Sequence, residues 1–344
     1  MLTIKNISAL LAAAMVSSPL LAVGSGSASK LQTNDSWFTP PIDPDYPRSD
    51  LLVPAVSFIL PGFGQFINGE YLSGSVYAGL ALGSVVYSNA TARANDLARA
   101  KLFAERRAET YGLKLEEVRD QKDVAARKVM LAGLVYQGSG GFSAYQAFRL
   151  SATTRQATGQ YQFLGRDETP MDILKSTVDF KYLKRSSTWI PLAIGGALAG
   201  LKLSLPPGDT SERSPFTTAD AFFTTSFSGN AGTHEEAMFR GWVMPVLREY
   251  TGSDGWSNVG QGVIFALAHL STVSVPLPQF LLGLHLGNVT QRNGWEMGEA
   301  VFIHTWWDII AFWTQFQYNS KYAKSPVASA APAVLWLPPL EWVF

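Results

Sequence analysis

His234-Glu235-Glu236-Ala-Met-Phe-Arg240-Gly241 lies inside a long stretch, residues 218–250, that reads as a membrane-type helix. Ionisable side chains within such a segment are costly and usually serve a function. Glu236 and Arg240 are four apart with the acid first, so they share a helix face in the better orientation for an ion pair. Glu235 points about 100° away, because a helix turns once per 3.6 residues. One carboxylate can then be held by Arg240 while the other faces a cavity. Two carboxylates in different environments let a site keep one ionised base beside a structural or acidic partner.

Two further segments carry ionisable groups. Phe265-Ala-Leu-Ala-His269 ends in a histidine, which taken alone is more often a hydrogen-bonded core residue than a ligand. His304-Thr-Trp-Trp-Asp308 places an imidazole and a carboxylate on one helix face, where they can converge on a single water or metal. Outside these motifs, His234 and His285 read as structural or cavity-lining. Glu296 and Glu299 lie near a loop and read as solvated. Ser and Lys are plentiful, but no Gly-x-Ser-x-Gly elbow or Ser-x-x-Lys pair falls in a membrane-type helix, which argues against a serine protease.

Composition narrows the class. The chain has 344 residues, with 27 Lys+Arg against 27 Asp+Glu, so nothing suggests a nucleic-acid partner. Charged residues make up 16%, against about 25% in an average soluble protein. Aromatic residues reach 12%, and the combination points to a membrane protein. There is no Cys, which excludes disulfides, thiolate metal sites and a cysteine nucleophile. No β-alternation persists long enough for a barrel, and there is no internal repeat, P-loop or dinucleotide fingerprint.

Residues 1–29 have the layout of a signal peptide or an uncleaved signal anchor. Residues 30–50 read as a Pro-rich linker. Residues 51–150 read as a membrane hairpin module, with arms over 51–67 and 71–87 and one arm kinked or re-entrant. Its stretch Leu60-Pro-Gly-Phe-Gly-Gln65-Phe-Ile-Asn68-Gly-Glu-Tyr71 resembles a two-helix membrane module fused to many bacterial proteins, and is read as packing or interaction structure. Mixed charges over 91–128 predict a solvated helical excursion. A candidate span over 130–148 follows. Residues 151–186 read as a polar connector with an amphipathic patch near Met171 to Tyr182. Residues 187–344 form the core, with candidate helices over 189–205, 218–250, 259–270, 277–290, 299–316 and 327–337. The expected fold is therefore an all-α, polytopic helical membrane protein of about eight membrane helices.

Glu-Glu-x-x-x-Arg alone arises by chance in about one chain in twenty of this length at average residue usage. Followed by Phe-x-x-x-His and His-x-x-x-Asp, it resembles the CAAX prenyl protease and bacteriocin-processing (CPBP, Abi) family of intramembrane proteases. Phe239-Arg240-Gly241 and the run from Phe280 to Gly287 fit as well, so the resemblance covers roughly 215–315. It implies that Glu235 activates water, that Glu236 and Arg240 position it, and that His269, His304 and Asp308 hold the water, a metal or the developing oxyanion. If the mechanism is metal-dependent, the implied ligands are Glu235, His269, His304 and Asp308, for zinc or another divalent ion; a glutamate mechanism needs none. The family motif ends in Asn or Asp, and here it is Asp308.

The expected activity is endopeptidase cleavage of a membrane-associated protein or peptide, by a protein integral to a bacterial inner membrane and in contact with its lipid. A non-proteolytic scaffold or immunity factor that kept the fold is the alternative. A proton-coupled transporter using the same groups is a third reading, disfavoured by the lack of an inverted repeat.

Overall fold

The computed structural model describes residues 51–104, 111–204, 217–270 and 276–322, with side chains omitted at 98–99, 101–104, 111–123 and 318–322. The segments read as a signal sequence and linker, and the candidate span at 327–337, lie outside the described residues. The described chain is all-helical. Its elements are α1 (Leu52–Ile59), α2 (Phe63–Ile67), α3 (Tyr71–Ala104), α4 (Tyr111–Ala157), α5 (Pro170–Ser176), α6 (Ser186–Ser204), α7 (Thr218–Met238), α8 (Met244–Thr251), α9 (Asp254–Ala268), α10 (Leu277–Arg292) and α11 (Gly298–Tyr322). A 3₁₀ turn, Phe180–Lys184, joins α5 to α6, and a π-helical turn, Phe239–Val243, joins α7 to α8.

The expectation of about eight membrane helices is corrected. Among the described residues no helix is long and apolar enough to cross a membrane. The helices α9 and α10 have only 15 and 16 residues, against about 20 needed to span the hydrocarbon. The longer α7 and α11 are diluted by Thr, Ser, Asn, Gln and charged side chains.

The first arm of the N-terminal hairpin is two short helices. The break falls at Pro61-Gly62, where Gly62 has φ 95°, a conformation that a side chain would strain. The break is locked to α4 by polar bonds. Ser143 Oγ accepts from the Gly62 amide at 2.8 Å and donates to Gln65 Oε1 at 2.7 Å. Gln65 Nε2 in turn donates to the Ser143 carbonyl at 2.9 Å. Both side chains are fully buried, so the Gly-Gln stretch works as a latch between the hairpin and the bundle.

The helices α3 and α4 pack along each other as a long pair. At 34 and 47 residues, they reach well beyond the site-bearing helices. The described parts of the charged segment 91–128, residues 91–104 and 111–128, belong to this pair.

The rest of the bundle is organised around α11, which packs against α7, α6, α10 and α5. Gly232 of α7 sits where a side chain would strike the Thr305 backbone of α11, so the two helices touch almost backbone to backbone. An aromatic cluster of Phe223, Phe227, Phe312 and Phe316 seals the far end of this crossing. A Thr217/Asp220 capping box starts α7, and the Asp220 carboxylate also pairs with Arg127 of α4.

The polar connector is a strap across the bundle. The amides of Gln162 and Phe163 donate to the Glu249 carboxylate, and Arg149 donates to the Gly165 carbonyl. The Tyr145 hydroxyl donates to the carbonyl of Glu168. The Glu168 carboxylate accepts from the Met297 amide at 2.7 Å, just before α11 begins. Burial pushes the Glu168 carboxyl up to about 7, against the Met297 hydrogen bond that favours its ionised form.

Two predictions follow from these contacts. Gln65→Ala and Ser143→Ala should each lower unfolding free energy by about 1–3 kcal/mol, because each leaves a buried polar partner unmet. Their double mutant should fall well short of the sum in a thermal-melt cycle. For Glu168, the folded pKa lies above the unfolded one, so the native state holds the proton more tightly. Stability should then fall by about 3 kcal/mol as pH rises from about 4.5 to about 7. Glu168→Gln should flatten that slope in melts recorded across the range.

Candidate active site

The six residues singled out from the sequence meet between α7, α9 and α11. Glu235 and Glu236 lie on the last turn of α7, next to the π-helical turn that carries Arg240. That turn has a local cause. Pro245 lacks an N–H and its ring crowds the carbonyl four residues back, so the ladder cannot continue as regular α-helix. The Met244 amide instead bonds to the Phe239 carbonyl, five residues back.

Arg240 is fully buried and ties three helices together. Its Nη1 donates to Glu236 Oε1 at 2.8 Å, and its Nη2 donates to the Gly283 carbonyl of α10 at 3.1 Å. Its guanidinium lies 4.8 Å from the centre of the Phe265 ring of α9. The same Glu236 Oε1 lies 2.7 Å from His304 Nδ1 on α11. Glu236 therefore joins Arg240 to His304 through one oxygen.

Glu235 faces the other way, as the 100° offset requires. Its Oε2 stands 3.8 Å from His304 Nε2 and 4.0 Å from His269 Nε2, and hydrogen-bonds to no described residue. Asp308 Oδ2 lies 3.7 Å from His304 Nε2. All six side chains are buried.

His269 is not within a helix, as its motif suggested, but caps the C-terminus of α9. Its Nδ1 is 2.7 Å from the Phe265 carbonyl, which is left unpaired by the helix end. A carbonyl only accepts, so Nδ1 carries a proton, and Nε2 faces Glu235.

Other sequence expectations fare differently. His234 bonds the Asn230 carbonyl on its own helix, and His285 bonds the Ser187 carbonyl, so both make their hydrogen bonds outside the cluster. Glu296 is partly exposed and pairs with Arg166 at 2.6 Å. Glu299 is not solvated but fully buried. Arg185, Ser187, Thr188, Arg292 and Asn293 all donate to it. Its nearness to a loop misled because the loop folds back over it.

Sequence reading missed Gln261 and Asn258. Gln261 Nε2 donates to the Gly283 carbonyl that also receives Arg240, and to Asn258 Oδ1, both at 2.8 Å. Asn258 Nδ2 donates to the Leu284 carbonyl at 3.0 Å. Two amides three residues apart in an apolar helix were the available signal.

Four ligands held tetrahedrally at zinc distances stand about 3.3 Å apart. The nitrogens and oxygens here are 3.7–4.0 Å apart. Among the described residues no group of three or more His, Asp or Glu is placed to hold a metal ion. The residues as arranged do not fit one.

The described chain is all-helical and brings paired acids, a buried arginine and two imidazoles together between its helices. Within the chain, residues 217–310 match the family model for type II CAAX prenyl endopeptidase, Rce1-like. That segment contains all six cluster residues and is about a quarter of the chain. The family resemblance read from the three motifs holds there, and at family level it supports a CAAX-type intramembrane endopeptidase. No curated protein and no solved structure matches the chain.

Arg240→Ala should lower stability by about 3–5 kcal/mol, because it leaves Glu236 buried without its cation. Arg240→Lys should recover only part of the loss, since one ammonium cannot reach both Glu236 and the Gly283 carbonyl in Arg's planar geometry. Thermal unfolding in detergent, followed by circular dichroism, measures both.

Proposed function

We propose that this protein is a membrane-embedded endopeptidase that hydrolyses a membrane-associated protein or peptide through a water activated by Glu235. The observation that carries the reading is the environment of Glu235. Its carboxylate oxygen is buried and without a hydrogen-bond partner among the described residues, and it faces the Nε2 atoms of both His269 and His304. Polar atoms separated by 3.8–4.0 Å are a spacing that one bridging water satisfies.

In this mechanism Glu235 takes a proton from the water, and the hydroxide adds to the scissile carbonyl carbon. His304, oriented through Nδ1 by Glu236 and flanked by Asp308, donates from Nε2 to the oxyanion when protonated. Glu235 then returns the proton to the amide nitrogen as the C–N bond breaks, leaving a carboxylic acid and an amine, which exchange a proton to become carboxylate and ammonium. Arg240 acts at one remove, by holding Glu236. No step passes through a metal.

Membrane embedding is supported by the outer surface. Ile190, Ile194, Leu198 and Leu201 of α6 form an exposed apolar line at spacings of three and four. Trp256, Val259, Val263 and Leu267 of α9 form another, and Leu72, Val76 and Leu80 of α3 a third. Exposed apolar lines on several helices suit contact with lipid. The Rce1-like match over 217–310 points the same way.

Glu235→Gln should cut proteolysis about 10²–10⁴-fold while the protein stays folded. The readout is the set of new protein N-termini in membranes that express the wild type or the variant at equal levels. Undiminished cleavage by the variant overturns the mechanism. Treating the purified protein with a zinc chelator should leave cleavage unchanged. Chelator-induced loss that added zinc restores would return the reaction to a metal.

A further inference from the structure

The amphipathic patch at 171–185 has no part in the chemistry above. It forms α5, a turn and the 3₁₀ turn, laid across the N-terminal end of α11. Two inward contacts fix it there. Trp306 Nε1 donates to the Thr177 carbonyl at 3.0 Å, and the Phe180 ring packs against Phe302 and Trp306. Ile173, Ser176 and Tyr182 point inward and are buried.

The outward face is mixed. Met171, Leu174, Val178, Phe180 and Leu183 are all exposed apolar side chains. Lys175, Lys181 and Lys184 are exposed among them, against the acids Asp172 and Asp179 of the patch, while Arg185 is taken up by the buried Glu299. Both acids are engaged. Asp172 accepts from the Thr169 amide and hydroxyl, and Asp179 pairs with Lys181 at 2.5 Å. Lys175 and Lys184 form no ion pair with a described residue.

The patch also continues in space. It leads directly into α6, whose exposed line starts at Trp189 and Ile190 and runs on through Leu201. A strip that is apolar with lysines at one end and purely apolar beyond fits a bilayer boundary, with headgroups at the patch and acyl chains along α6.

We infer that residues 171–185 form an interfacial platform that seats on an anionic lipid surface, with Lys175 and Lys184 meeting the headgroup phosphates and Met171, Leu174, Val178 and Leu183 dipping beneath them. The inference rests on the membrane-embedded reading given above and adds where the surface lies and which lipid charge it meets. It also fixes the depth of the chemistry. The contacts of the platform with Phe302 and Trp306 bracket His304 on α11, so the cluster lies close to the depth of the platform. The scissile bond is then cut just below the headgroups rather than at mid-bilayer.

The absence of cysteine makes the test direct. Single cysteines are introduced into the full chain at Leu174, at Val178, at Asp96 as a water reference and at Leu198 as a hydrocarbon reference. Each is labelled with a polarity-sensitive fluorophore. The protein is reconstituted into phosphatidylcholine nanodiscs with rising fractions of phosphatidylglycerol, and helicity is checked for each variant.

Labels at Leu174 and Val178 should report a setting between the two references and move deeper as phosphatidylglycerol is added. Lys175→Gln with Lys184→Gln should raise the phosphatidylglycerol needed for that shift by about fivefold for each lysine. Labels at Leu174 and Val178 that match Asp96, while Leu198 reports hydrocarbon, overturn the platform and leave the membrane reading standing. If Leu198 also matches Asp96, the membrane reading itself falls. Burial that ignores phosphatidylglycerol overturns the assignment to anionic headgroups.

Discussion

The buried carboxylate of Glu236 is the constraint around which the rest of the site is arranged. One of its oxygens meets both Arg240 and His304. A carboxylate held away from water needs a cation and hydrogen bonds close by, or its burial is strongly unfavourable. Arg240 supplies the charge, and it is anchored in turn to the Gly283 carbonyl. His304 is thereby tied to α7, with its second nitrogen aimed at Glu235 and Asp308. Removing Glu236 would release the arginine and the imidazole together.

The architecture around this cluster serves proximity. Gly232 lets α7 and α11 approach closely enough for Glu236 to reach His304. The π-helical turn after Met238 accommodates Pro245 and keeps Arg240 within reach of Glu236. The Gln261–Asn258 pair stitches α9 to α10, and so holds both the Phe265 ring over which Arg240 lies and the carbonyl that Arg240 bonds. The strap from Gln162 to Glu168 fastens the start of α11 from outside. A catalytic group misplaced by an ångström loses much of its effect, so under the proposed mechanism these supports matter as much as the acids do.

How much was legible in the sequence differs from residue to residue. The Glu236–Arg240 pairing was legible because a four-residue spacing on a helix is a local property. The opposite facing of Glu235 was legible for the same reason. Glu299 was misread as solvated because its partners Arg185, Ser187 and Thr188 lie more than a hundred residues away. The helical nature of the core was readable from its apolar pattern, yet its length in membrane terms was not. The break at Pro61-Gly62 was signalled by those residues, whereas α9 and α10 came out slightly longer than the candidate helices 259–270 and 277–290 and still fall short of a bilayer.

By itself the sequence determined the helical class, the three motifs and six candidate side chains, since each follows from residue type and spacing within one segment. Only the tertiary structure decided that Glu236 joins Arg240 to His304, and that Glu235 stands bare between two imidazoles. It also decided that the donor atoms of the cluster stand 3.7–4.0 Å apart and that the patch at 171–185 lies over the end of α11. These are distances between segments distant in the chain. They depend on how closely the helices pack, and spacing along the sequence does not encode that.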